Sequence, residues 1–124
     1  MRRIKLLHRF LKTEAFKIEA ERLQAWEQVD QLKPRLDRDP LLGDVIPGGG
    51  GLRKIRIGLP GRGKRSGARV IYFQMVSDTV ILLLGIYAKN ELSDLSSHML
   101  DDLKTLRDIA VNEYRRRSHG EKLQ

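Results

Sequence analysis

The 124-residue chain contains no cysteine. Disulfide staples and thiolate metal sites are therefore excluded, and a reducing compartment suits it. It also lacks a long apolar run. The longest, Thr79 to Ala88, is too short to cross a bilayer. The N-terminal stretch opens with Arg2-Arg3, but its apolar run is broken by His8, Arg9 and Lys12, and no small-residue cleavage site follows. A soluble cytoplasmic protein without a membrane partner is expected. Histidine is scarce: His8, His98 and His119 fall in separate segments, so a nuclease built on a histidine pair is not supported. The acidic residues lie in helical segments, with Asp101 and Asp102 reading as solvated helix positions, so neither a metal nor another cofactor is expected.

The most pointed absence is of acid in the middle of the chain. Between Asp44 and Asp78 there is no Asp or Glu. The stretch from Gly48 to Phe73 instead carries Arg53, Lys54, Arg56, Arg62, Lys64, Arg65 and Arg69, seven of the eight net positive charges of the whole protein. The remainder is nearly balanced, so the excess is local. A concentrated basic field on glycine-rich, strand-like backbone points to a phosphate-rich partner, most simply nucleic acid.

A chain of this length reads as one domain with a real core. Arg3 to Phe10 alternates loosely, like an edge strand. Thr13 fits a helix N-cap, with Glu14 in the first turn. The helix then runs to about Lys33, with Ala25, Val29, Leu32 and Leu36 on one face and Phe16, Ala20 and Leu23 forming a second stripe. Pro34 is expected to end or kink it. Trp26 reads as core in preference to a partner-facing anchor. After a loop over 39–51, Ile55 and Ile57 point inward from a strand whose Lys54 and Arg56 share the opposite face. The stretch 59–67 is a glycine-punctuated loop.

Ala68 to Val76 forms the next strand, with Val70, Tyr72 and Gln74 on one face and Arg69, Ile71 and Phe73 on the other. Ser77-Asp78 connects it to a central strand over 79–88. A last helix starts between Asp94 and Ser97, carries Met99, Leu103, Leu106 and Ala110 on one face, and runs to about Arg117, with 120–124 frayed. The expected class is α+β: a helical part over 1–40, a small antiparallel sheet with its basic loop over 50–90, and a C-terminal helix over 95–117.

Gly58 to Lys64 has the G-x-x-x-x-G-K spacing of a P-loop, but Arg65 stands where a magnesium-binding hydroxyl belongs and a strand follows instead of a helix. It reads as a charged hairpin loop. Two interpretations of the cations remain. One is a solvated basic face that attracts polyanions. The other is RNA cleavage by the substrate's own 2′-hydroxyl, in which clustered cations lower a lysine's pKa and arginines grip the phosphate in bidentate fashion.

Five ordered blocks carry a resemblance: Gly43 to Pro47, Gly50 to Arg56, Leu59 to Arg65, Gly67 to Tyr72, and Tyr87 to Glu91. Together they resemble the HigB branch of the RelE/ParE toxins over roughly residues 39–106. The resemblance implies a RelE-like fold and the toxin of a type II toxin–antitoxin pair. Such a toxin is a metal-independent endoribonuclease that cuts mRNA in the ribosomal A site and is neutralised by a HigA-like helix-turn-helix antitoxin.

The implied catalytic set is Lys54, as general base or phosphate anchor, with Arg56 and Arg69 on the phosphorane and Lys89 replacing a family arginine. The implied RNA-binding set is Arg53, Arg62, Lys64, Arg65, Tyr72, Tyr87 and Asn90. Lys89-Asn90 replaces a Lys-Arg pair, and Ser96 falls near the place of a catalytic tyrosine. The alternative is a non-enzymatic inhibitor, either a ParE-like gyrase poison or a basic RNA- or ribosome-binding module.

Overall fold

Strand β1 (Arg9–Lys12) leads into helices α1 (Glu14–Arg22) and α2 (Trp26–Arg38). Then come β2 (Asp44–Val45), β3 (Arg53–Ile57), β4 (Ala68–Met75), β5 (Val80–Ala88) and α3 (Ser97–Leu123). The computed structural model describes residues 5–61 and 67–123, with side chains through 118. The five strands form one sheet in the order β1-β5-β4-β3-β2. The class is α+β as expected, with one difference: β1 runs parallel to β5, so the sheet is mixed. The other three pairings are antiparallel. Among the described residues no helix is long and apolar enough to cross a membrane.

Each sheet face has its own core. On one, Phe16, Ala20, Ala25, Val29, Leu32 and Leu36 from α1 and α2 pack on Ile55, Ile57, Val70, Tyr72, Ile81 and Leu83. The 4-3-4 spacing from Ala25, at the N-cap of α2, through Val29 and Leu32 to Leu36 puts all four inward. Each large side chain so buried contributes about 1.5–3 kcal/mol. Trp26 packs at the margin of this core, with its ring edge-on to Phe16 at 6.2 Å. On the other face, Leu100, Leu103, Leu106 and Ala110 of α3 cover Leu52, Ile71, Met75, Leu82 and Leu84.

The helical region divides at Gln24, not at Pro34. Gln24 takes a left-handed φ of 53°, and α2 runs on through Pro34 to Arg38. Val29 and Leu32 before the proline and Leu36 after it are all buried, which holds both halves of α2 to the sheet and outweighs the single backbone bond the proline lacks. At the far end α3 continues past Arg117 to Leu123.

Thr13 caps α1 as its sequence position predicts, accepting the Phe16 N–H at 3.1 Å. Its hydroxyl also donates to the Leu84 carbonyl at 2.9 Å. Leu84 is the extra residue of a β-bulge: Ile71 faces Gly85 and Tyr72 faces Leu83, so Leu84 has no partner in β4. The bulge reverses the alternation of β5. Leu82 and Leu84 face α3, yet so does Tyr87, three residues on. Without the bulge, strict alternation along the same sequence would point Tyr87 into the α1–α2 core.

Candidate functional site

The register of β3, β4 and β5 builds one row of polar side chains. Arg56 lies opposite Arg69, and Arg69 opposite Tyr87. Neighbouring strands are about 5 Å apart, so the three side chains rise next to one another on the α3 face of the sheet. Lys54, two residues before Arg56, shares that face. Lys54, Arg56, Arg69 and Tyr87, all expected site residues, are thus brought together. They sit at the end of the sheet where β5 leaves for α3.

Arg69 is the unusual member. It is only 7 % exposed, and among the described residues its guanidinium makes one long bond, 3.4 Å, to the Ala68 carbonyl. Among the described residues no carboxylate comes within ion-pairing distance of it or of Arg56, which is exposed. A buried cation without a counter-charge is costly. The arrangement lowers its energy when an anion arrives.

Tyr87 is half-buried. Its phenol is pushed up by burial first and by the charge of Asp94 second, against a smaller opposing pull from Arg69, so it is a hydrogen-bond donor at neutral pH. Lys89 follows the end of β5. Its backbone N–H reaches the Gly67 carbonyl at 2.9 Å, and its ammonium donates to the Ser93 carbonyl. Asn90 occupies the exposed turn beside it. The loop is pinned to α1 by Arg22, which donates two bonds to Glu91, at 2.6 and 3.1 Å, and others to Glu19.

Two expected RNA-binding residues leave the set. Tyr72 is fully buried on the opposite face. Its hydroxyl accepts the Gly43 N–H at 2.9 Å and donates to the Pro40 carbonyl at 2.8 Å, so its ring has no surface for a base. Gly43 is obligatory there, since a Cβ would lie 2.8 Å from the tyrosine ring. Arg53 pairs with Tyr72 in the register and points to that same face, where it clamps the loop before β2 by bonds to the Gly43 carbonyl at 2.7 Å and the Leu41 carbonyl at 3.2 Å. The strict period of two in β3 decides this: a side chain adjacent to Lys54 must face the other way. Arg62, Lys64 and Arg65 lie outside the described residues. Ser96 caps α3, its hydroxyl accepting the Met99 N–H at 3.1 Å.

One polar group enters the site unforeseen. The Asp94 carboxylate lies 3.5 Å from the Lys54 ammonium and accepts the Leu95 N–H at 2.8 Å. These two contacts, the backbone bond first, hold its pKa below the ordinary 3.8. The cation cluster is therefore not unopposed. In the sequence Asp94 reads as part of a helix start, and its signal is topological: an antiparallel β5 must return the chain to the start of β4, beside Arg69.

The histidines stay apart. His8 bonds Asp37 at 2.8 Å on the far side of the molecule, and His98 lies exposed, 3.7 Å from Asp102. His119 lies beyond the described side chains.

No protein-family model matches the chain. The fold is RelE-like. A solved structure of E. coli toxin RelE, a doubly substituted mutant in the free state, superposes with a TM-score of 0.58 at 15% sequence identity, covering 82% of this chain and 98% of that one. At this identity the likeness is one of fold: a mixed sheet between two N-terminal helices and a C-terminal helix.

Proposed function

We propose that the chain is the toxin of a type II toxin–antitoxin pair and acts as a ribosome-dependent endoribonuclease. It would cut mRNA by metal-independent attack of the 2′-hydroxyl on the adjacent phosphate. The observation that carries this reading is the buried Arg69, without a carboxylate partner among the described residues, beside Arg56, Lys54 and Tyr87 on the α3 face of the sheet. A floor of cations with no carboxylate on the arginines among the described residues suits a group that gains negative charge as it reacts, and donors arranged in advance cost no reorganisation at that moment.

In this reading Arg56 and Arg69 donate to the equatorial oxygens of the phosphorane. Lys54 anchors the phosphate, Lys89 adds charge at the end of β5, and Tyr87 offers its ring to a base and its hydroxyl to the backbone. Lys64 and Arg65 on the loop between β3 and β4 hold the message, and a HigA-like antitoxin neutralises the protein. The fold shared with toxin RelE supports the assignment to this class of toxin.

The test is a reconstituted translation reaction in which message ends are mapped. Purified protein is expected to cut only message that is being translated, and Arg56→Ala to slow the cutting by about 100-fold, the loss of one preorganised donor. Intact message, with loss of DNA supercoiling when the protein is expressed, would instead identify a gyrase poison.

A further inference from the structure

We propose that Asp94 is the general base of this reaction, with Lys54 beside it as its ammonium partner. The inference rests on the nuclease reading above and names the group that reading lacks. Among the described residues Asp94 is the sole carboxylate within 4 Å of a cation of the row, at 3.5 Å from Lys54. Asp44, opposite Lys54 in the β2–β3 register, makes no ion pair with it. Among the described residues the charged and titratable groups around Asp94 are Lys54 on β3, Tyr87 on β5 and Lys89 on the loop, with Arg69 on β4 beyond Tyr87. Guanidinium groups offer only donors, and the Lys54 nitrogen is turned toward the Asp94 carboxylate at 3.5 Å. Of these groups, Asp94 is the carboxylate, with oxygens able to accept a proton.

Its placement suits the task. The Leu95 N–H fixes one carboxylate oxygen, while the side chain as a whole is 72% exposed and open to an incoming ribose. In the step, an Asp94 oxygen takes the 2′-hydroxyl proton as the 2′-oxygen bonds to phosphorus. The bond from phosphorus to the 5′-oxygen breaks, leaving a 2′,3′-cyclic phosphate, and the 5′-oxygen takes a proton from the Lys54 ammonium. The proton on Asp94 then crosses to the Lys54 amine, which restores the ion pair. No other reactant is consumed.

Asp94→Asn tests this, because an amide oxygen can still accept the Leu95 N–H and the fold is retained. In single-turnover cleavage on programmed ribosomes, Asp94→Asn is expected to be at least about 100-fold slower than wild type, the usual loss of a positioned base. Its ribosome affinity should be equal or higher, since a negative charge has been removed, and Asp94→Glu should recover part of the rate. Cleavage by Asp94→Asn at the wild-type rate or faster would overturn the proposal and make the carboxylate a mere counter-ion displaced by phosphate. Absence of cleavage by wild type and variant alike would overturn the nuclease reading, and this inference with it.

Discussion

Two arginines at the contact between α3 and the sheet show how differently the same side chain can be used. Arg107 is satisfied by the molecule itself: it donates to the Gly49 and Gly50 carbonyls at 3.1 and 2.6 Å and lies over the Phe73 ring at 5.4 Å. It fastens α3 to the glycine turn before β3. Among the described residues Arg69 is given nothing comparable. Arg107→Met is therefore expected to lower stability by about 1.5–3 kcal/mol, the usual worth of charged hydrogen bonds. Arg69→Met should raise stability by about 1 kcal/mol or more, as when buried charge gives way to apolar side chains, while abolishing cleavage. Thermal unfolding of the two variants beside the cleavage assay checks both signs, and a destabilised Arg69→Met would refute the account of an unsatisfied cation.

Asp37 supplies a third case. Burial pushes its carboxyl up, but the Leu7 and His8 N–H groups and the His8 ring outweigh that and leave it lowered. A depressed carboxyl stabilises the fold above the unfolded value, and the contribution is lost as pH falls below about 4. Unfolding midpoints of Asp37→Asn followed between pH 7 and pH 3 should thus fall less steeply than those of wild type.

At the scale of elements, the bulge in β5 is the device that completes the site, and Thr13 secures it. One hydroxyl both caps α1 and bonds the carbonyl of the inserted Leu84. Thr13→Val keeps the shape and removes both bonds. It is expected to cost about 2 kcal/mol, near the upper end for a helix cap, and to slow cleavage through misplacement of Tyr87. Urea unfolding and cleavage rate, measured on the same variant, check the pair of effects.

This region also shows what the sequence can and cannot carry. The α2 face, the inward Ile55 and Ile57 and the shared face of Lys54 and Arg56 were legible because period alone decides them. Thr13 was legible as a cap because that bond is local. Its second bond spans 71 residues, and the bulge changes parity inside a uniformly apolar strand, where no alternation exists to betray it. Gln24 was hidden for another reason: nothing in its side chain announces a left-handed backbone, whereas Pro34 announces a break that packing then overrules. Asp94 needed the antiparallel return of β5 before its neighbour Lys54 could be known.

For the molecule as a whole, charge is arranged along the sheet. The site lies at the end where β5 finishes, at Tyr87. The cations at its other end, near Val80, are occupied: Arg115 pairs with Asp78 at 3.7 Å, and Arg9 lies over the Tyr114 ring at 5.8 Å. The seven residue steps from Val80 to Tyr87 separate the two ends by about 23 Å, well beyond a Debye length at physiological salt. Each cation that neutralises a phosphate of single-stranded RNA contributes about −0.7 to the slope of log affinity against log salt concentration. Arg56, exposed and without a carboxylate partner among the described residues, is expected to contribute one such increment. Arg56→Ala should make the slope shallower by about 0.7 and weaken binding to every message alike, since a phosphate contact carries no sequence information. Arg115→Ala, at the far end, should leave the slope unchanged. A salt titration of ribosome or RNA binding with the two variants decides the matter: equal slopes for Arg56→Ala and wild type would place the phosphate path away from this face of the sheet.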